Sequence, residues 1–220
     1  MTKNEDSQHR QILSRIAHRA MLERGMVPDF PPEALAELNG IRGPATSGEG
    51  RIRDLSALPW CSIDNDDSLD LDQLTIAETM KGGAMRIMVA IADVDALVTK
   101  KSALDDHARQ NTTSVYTVAE IFPMLPEKLS TDLTSLNYQS DRLALVVDMV
   151  IASDGSLGDS NMYPAMVRNK AKLAYNSVAG WLEGKEPAPK GIDAIDGLEA
   201  SLRNQDAAAQ SLRALRHLNG

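Results

Sequence analysis

The stretch that decides how this chain is organised covers residues 64–73 and reads Asp-Asn-Asp-Asp-Ser-Leu-Asp-Leu-Asp-Gln. We call it the acidic loop, because five of its ten side chains are carboxylates and no Lys or Arg occurs between Asp54 and Met80. Carboxylates at this density repel one another, and removing them from water is costly unless something compensates. A divalent metal ion is the strongest candidate, since hard cations such as Mg²⁺ prefer oxygen ligands.

The segments on either side of the acidic loop are apolar. Residues 55–63 read Leu-Ser-Ala-Leu-Pro-Trp-Cys-Ser-Ile, and residues 84–92 read Ala-Met-Arg-Ile-Met-Val-Ala-Ile-Ala. We therefore expect the loop to be positioned by a folded core, as functional loops are. Asp70 and Asp72 are two residues apart and point to the same side of an extended chain. Asp64 can fold back toward them, because the intervening residues favour turns.

Two other interpretations of the acidic loop compete with a magnesium site. The first is a solvated acidic turn with no ligand, which the Asp run alone would also fit. The second is a calcium loop of the EF-hand type, which needs Gly at its sixth position and Glu at its twelfth. Counted from Asp64, those positions hold Leu69 and Thr75, so the sequence speaks against an EF-hand.

Motifs around the acidic loop resemble a known family. Residues 54–60 read Asp-Leu-Ser-Ala-Leu-Pro-Trp, and residues 62–72 read Ser-Ile-Asp-Asn-Asp-Asp-Ser-Leu-Asp-Leu-Asp. Together they are similar to the signature of the RNB-domain exoribonucleases, the family of ribonuclease II and ribonuclease R, which runs Thr-Ile-Asp, a short spacer and Asp-x-Asp-Asp. Further matches follow in the same order at residues 89–94, 113–116, 122–130, 133–137, 141–144 and 170–175.

This resemblance implies a fold, an activity and a set of partners. The expected fold is α+β, with helices packed on a mixed, mainly antiparallel sheet, a short helical region over residues 1–50 and part of an RNB catalytic domain over residues 51–220. The expected activity is that of a 3′-to-5′ exoribonuclease that releases nucleoside 5′-monophosphates from single-stranded RNA. Its expected cofactor is Mg²⁺, with Mn²⁺ as the alternative.

The resemblance also assigns residues to roles. Asp64, Asp70 and Asp72 match metal-binding positions, and Asp70 and Asp72 are the predicted catalytic residues, with Asp72 at the family's most critical position. Tyr116 matches a tyrosine that stacks on a nucleotide near the 3′ end, and stacking of this kind tolerates any base. Gln73 is assigned to the substrate side of the site and could ligate a metal through its amide oxygen.

The chain departs from the family pattern in two respects. Gln73 stands where the signature has its fourth Asp. The RNB domain of the family is also considerably longer than residues 51–220, so we expect the front part of such a domain. Its partners would then include the missing C-terminal half or a second copy of the chain, through the apolar face of the last helix. The alternative function is a non-catalytic RNB-like module that binds RNA or protein.

The bulk composition limits the remaining possibilities. The net charge of −8 has the wrong sign for gripping nucleic acid through overall charge, so RNA binding would need a local channel. Cys61 is the single cysteine, which excludes an internal disulfide and favours a reducing cytoplasm. The sequence contains no apolar run long enough to span a bilayer, and we expect no membrane partner.

The hydrophobic periodicity predicts the order of secondary structure. Helices are expected near residues 8–24, 32–38, 102–110, 171–182 and 195–218, with Ser102 capping the third of these. Strands are expected near residues 85–92, 143–151 and 161–168. Asp148 interrupts the second of these strands and is predicted to pair or to lie at a sheet edge.

Overall fold

The computed structural model of this chain describes residues 3–46, 48 and 50–218. Within these residues, five α-helices occur in chain order: α1 Lys3–Glu23, α2 Pro32–Gly40, α3 Ala103–Asn111, α4 Tyr175–Leu182 and α5 Leu198–Leu218. Nine strands are β1 Arg53–Asp54, β2 Cys61–Asp64, β3 Gln73–Thr79, β4 Met85–Ala92, β5 Val115–Tyr116, β6 Ile121–Phe122, β7 Asp141–Ile151, β8 Leu157–Arg168 and β9 Ala171–Ala174. No described helix is long and apolar enough to cross a membrane.

The chain divides into two compact units. The first combines Met1–Gly43 with Leu97–Ser130, and the second combines Pro44–Ala96 with Thr131–Gly220. The division predicted at residue 50 stays a prediction, because it was drawn from sequence motifs and not from contacts.

The first unit contains α1, α2, α3 and the hairpin of β5 and β6. Helix α3 begins where predicted, since the Ser102 side chain accepts a hydrogen bond from the Asp105 amide. The Glu37 carboxylate on α2 accepts the amides of Ala103 and Leu104 at 2.8 and 3.0 Å, and these bonds lower its pKa. A side chain of one helix thus satisfies amides that the first turn of another leaves unpaired.

The second unit is built on a seven-stranded sheet in the order β1-β8-β7-β4-β3-β2-β9. The pairing is antiparallel between neighbours throughout the five inner strands, from β8 to β2. The two outer strands pair in parallel, β1 with β8 and β9 with β2. This is the mixed, mainly antiparallel sheet with packed helices that was predicted.

Two apolar clusters fill the second unit, one on each side of the sheet. Alternating residues of the long strands, with Trp60, form the first, whose members include Leu74, Ile76, Met88, Ala90, Val146 and Ala165. The second lies where α4 and α5 cover the other side and includes Cys61, Leu173, Trp181, Leu198 and Leu202. Farther along α5, Leu212 and Leu218 are exposed, so the helix covers the sheet with its first half.

One secondary-structure prediction was wrong. Residues 171–182 were expected to form a single helix, yet residues 171–174 form β9 and only residues 175–182 are helical. The Lys-Ala-Lys-Leu-Ala composition suits a helix. Parallel pairing with β2 overrides that propensity, because it buries Ala171 and Leu173 in the second cluster.

Candidate functional site

The acidic loop connects two neighbouring strands of the sheet. Strand β2 ends at Asp64 and β3 begins at Gln73. The Asp64 carboxylate accepts hydrogen bonds from the Asn65 amide and the Ser68 hydroxyl, both at 2.9 Å, so Asp64 closes the bend that follows it. The predicted turn between Asp64 and the later Asp residues is therefore present.

Hydrogen bonds to its main chain hold the second half of the loop. The Ser135 hydroxyl accepts the Leu71 amide at 3.0 Å and donates to the Leu69 carbonyl at 2.9 Å. The Leu136 amide donates to the Leu71 carbonyl at 2.7 Å. Because Ser135 and Leu71 are both buried, these bonds are shielded from competing water.

Asp70 and Asp72 flank the anchored Leu71 in the sequence. Leu71 packs into the first apolar cluster between them, while both Asp residues are exposed. The Asp72 carbonyl accepts the Ala92 amide at 2.9 Å, which joins the loop to the end of β4. The scaffold thus fixes the backbone that carries these carboxylates.

The charges of Asp64 and Asp70 act on Asp72. The pKa of Asp72 is raised, first because surrounding atoms withdraw part of its hydration and then because Asp64 and Asp70 repel its negative charge. Although Asp72 reaches the surface, its carboxylate is therefore not in a bulk-water environment. Asp64 and Asp70 therefore act on the charge of Asp72, and the assembly of the three carboxylates into one metal site stays a prediction.

The donor set fits a hard cation. Mg²⁺ retains several waters and is usually held by one or two carboxylates together with substrate phosphates. Within the described residues no three His, Cys, Asp or Glu side chains form a ready-made metal cage. A site of half-buried and exposed carboxylates that is completed by a phosphate is consistent with both facts, and Asp64, Asp70 and Asp72 are the residues that would hold the ion.

A lysine that the sequence interpretation missed braces the acidic loop. Lys172 on β9 donates from Nζ to the Ser68 carbonyl at 2.6 Å and lies 3.5 Å from the Asp66 carbonyl. Asp66 and Asp67 are exposed in the bend. The signal for Lys172 is its position in the segment 170–175, but no local pattern links it to a loop about a hundred residues earlier.

A buried polar cross-link supports the end of β2 and was also missed. The Asn169 side-chain nitrogen Nδ2 donates to the Ser62 hydroxyl and to the Leu136 carbonyl, both at 3.0 Å. Ser62 is two residues before Asp64 and buried. Asn169 thus connects the strand that carries Asp64 to the segment that anchors Leu71.

The two predicted substrate-binding residues have different surroundings. Gln73 is the first residue of β3, exposed and paired opposite Ile91. Because side chains alternate along a strand, the Gln73 side chain lies on the face opposite that of Leu74. The substrate-binding role of Gln73 stays a prediction. Tyr116 lies in the first unit, on β5, and 66% of its surface is exposed, as a stacking residue requires.

Comparison with protein families decides the classification. The family described as "RNB domain" matches residues 52–220 of the chain. The chain belongs to the RNB domain family. This membership confirms the resemblance drawn from the motifs, and the match includes the second unit from residue 52 onward.

Individual RNB proteins give the same result. The chain is 40% identical over 160 residues to ribonuclease R of Vibrio cholerae, a match that covers 72% of the chain and 19% of that protein. It is 38% identical over 143 residues to exoribonuclease 2 of Cronobacter sakazakii, covering 64% of the chain and 22% of that protein. The chain therefore spans about a fifth of the length of these relatives.

The fold agrees with solved RNB structures. Ribonuclease R of Mycoplasma genitalium, in complex with double-stranded RNA, superposes with a TM-score of 0.80 at 27% identity. The match covers 91% of the chain and 35% of that protein. The same enzyme with ribose-methylated single-stranded RNA gives an equal TM-score.

Proposed function

We propose that the protein carrying this chain is a Mg²⁺-dependent exoribonuclease that degrades single-stranded RNA from its 3′ end and releases nucleoside 5′-monophosphates. The observation that carries the proposal is the acidic loop, whose backbone is held by buried hydrogen bonds and in which the charges of Asp64 and Asp70 help to raise the pKa of Asp72. Family membership supports the reaction class, since the relatives are ribonucleases by name.

The roles of the chain's own residues follow from their positions. Asp64, Asp70 and Asp72 would bind the metal, and Mn²⁺ could replace Mg²⁺ because it accepts the same oxygen ligands. When bound, the metal supplies activation of the attacking water and stabilisation of negative charge on the phosphate. The hydrogen bonds through Ser135 and Leu136 keep the Asp70 and Asp72 backbone in place, so little reorganisation is needed during the reaction.

RNA would be held by local contacts, since the chain has a net charge of −8. Tyr116 offers an exposed ring on which a base could stack without regard to sequence. We place this activity in the cytoplasm, because a single cysteine favours a reducing compartment. Cys61 is buried, and burial raises the pKa of its thiol to about 11, which makes it an inert core residue.

A second candidate function is a non-catalytic RNB module that binds RNA or protein. The observation in its favour is Gln73, which removes one carboxylate from the family signature. The two functions differ in whether metal produces mononucleotides.

The experiment uses the whole natural protein that contains this chain and single-stranded RNA labelled at its 5′ end. We expect shortening from the 3′ end, 5′-monophosphates among the products, and loss of both on chelation of divalent metal. Binding of RNA without any cleavage in Mg²⁺ or Mn²⁺ would support the non-catalytic module instead.

A further inference from the structure

A pocket beside the edge strand of the sheet carries three lysines. It has a volume of about 300 Å³ and is lined by β9 with the preceding Lys170, by the turn at residues 138–139 and by Lys190, Gly191, Ala194 and Ile195. We call it the lysine pocket, and its polar side chains are Tyr138, Gln139, Lys170, Lys172 and Lys190. Among the lining residues that the structure describes, none is Asp or Glu.

The positive charges of the lysine pocket are not neutralised by ion pairs to its lining. The Lys170 ammonium donates to the Ala57 carbonyl at 2.7 Å, and Lys172 donates to the Ser68 carbonyl at 2.6 Å. A carbonyl fixes the position of an ammonium group but carries no net charge. Each ammonium has three N–H donors, so donors remain for a ligand, and Lys190 is exposed.

The pocket lies next to the strand that ends in the acidic loop. Strand β9 runs parallel to β2, with Lys172 opposite Ser62 and Ala174 opposite Asp64. Because side chains alternate along a strand, Lys170 and Lys172 are on the sheet face that carries Asp64. A chain of phosphates that reaches Asp64 could therefore continue along this face to the lysines.

An aromatic side chain stands at the rim. Tyr138 lines the pocket and is 56% exposed, so part of its ring can receive a base. Lysines that contact phosphates, combined with an aromatic ring on which a base stacks, are the usual means of binding single-stranded nucleic acid without sequence preference.

We propose that the lysine pocket is a nucleotide subsite of the RNA strand, in which Lys170, Lys172 and Lys190 contact phosphate and Tyr138 stacks on the base. The inference rests on the proposed function for its RNA ligand. Its chemistry is that of a nucleotide phosphate, which could belong to the RNA chain or to a released mononucleotide.

The experiment measures binding of a fluorescent oligoadenylate to the whole protein in EDTA, so that the metal site does not contribute. Lys190→Glu should weaken binding at least about fivefold and lower the slope of log affinity against log salt by about 0.7 per lost phosphate contact. Lys81→Glu is the matched control, because Lys81 is exposed in the same compact unit but does not line the pocket. It should change affinity much less.

Two further arms identify the ligand and its source. Tyr138→Phe should keep the affinity and Tyr138→Ala should reduce it severalfold, with circular dichroism checking that each variant folds. Competition by AMP at millimolar concentration would indicate that the pocket also takes the mononucleotide, whereas competition by oligonucleotide alone would assign it to the RNA chain.

The proposal is overturned if Lys190→Glu and Lys81→Glu bind equally well, or if the wild-type protein does not bind the oligonucleotide. These outcomes are independent of catalysis. If nuclease activity is absent but Lys190→Glu still loses affinity, the proposed enzymatic function fails and the subsite stands.

Discussion

Carboxylates near the two ends of strand β3 have different hydrogen-bond partners. At one end, Asp148 is bound by Arg86 through two hydrogen bonds of 2.8 and 2.6 Å and accepts the Tyr163 hydroxyl at 2.9 Å. Glu78 lies 3.5 Å from the same guanidinium. At the other end, Asp64 of the acidic loop accepts hydrogen bonds from the uncharged Asn65 amide and Ser68 hydroxyl.

The pKa values follow this difference. Arg86 lowers the pKa of Asp148, with help from the Tyr163 hydroxyl, whereas partial desolvation and repulsion by Asp64 and Asp70 raise that of Asp72. Asp148 therefore pairs, as predicted, and stabilises the sheet. The acidic loop is an electrostatic cost that the fold keeps, which is typical of a site that binds a cation.

The largest effect is expected from Asp72→Asn. This change keeps the shape of the side chain but removes the charge, so nuclease activity should fall by roughly two to three orders of magnitude, as when one charge-stabilising group is lost from an active site. RNA binding and thermal stability should stay near those of the wild type. Single-turnover degradation and an unfolding curve measure both, and wild-type turnover would remove Asp72 from the catalytic site.

Asp148→Asn should have the reverse profile. It removes charged hydrogen bonds from a side chain that is 14% exposed, so the free energy of unfolding should fall by about 2 kcal/mol with little change in activity per folded molecule. Because the folded pKa of Asp148 is lowered, its contribution is complete above the unfolded value of about 3.9 and is lost as pH falls through the folded value. The difference in stability between the two proteins should therefore begin to shrink below about pH 3.9 and vanish only below the lower folded pKa. A constant gap down to the lowest pH would contradict the pairing.

Two buried serines give a finer test of the scaffold. Ser135 accepts the Leu71 amide at 3.0 Å, and Ser201 on α5 accepts the Ala77 amide at 2.8 Å. Each change to alanine should cost about 1–3 kcal/mol, because each leaves a buried amide unpaired. Ser135→Ala alone should also raise the Mg²⁺ concentration for half-maximal activity, since only it loosens the backbone of Asp70 and Asp72. Metal-binding calorimetry provides a second readout, and equal effects of both variants would show that Ser135 is merely structural.

The smallest effect is expected from Gln73→Asp. Adding a carboxylate should strengthen binding of a hard cation and lower the Mg²⁺ requirement by a few-fold. A metal titration of activity measures this shift. An unchanged or higher requirement would mean that another residue, such as Asp66 or Asp67, has taken over the role of the fourth Asp.

Local signals were sufficient for much of this protein. The apolar runs predicted β4, β7 and most of β8, Ser102 predicted the start of α3, and the turn-forming residues after Asp64 predicted the bend of the acidic loop. These features depend on neighbouring residues, whose periodicity, capping chemistry and turn propensity are present in the sequence itself.

Tertiary structure decided what depends on residues far apart in the chain. Residues 171–174 have a helical composition but form β9, because pairing with β2 buries their apolar side chains. The same pairing brings Lys172 to the acidic loop, and the turn after Leu133 brings Ser135 to Leu71. Such contacts compensate buried polar groups only after the chain has folded, so no local pattern specifies them. The acidic loop could thus be found from sequence, whereas the hydrogen bonds that hold it in place could not.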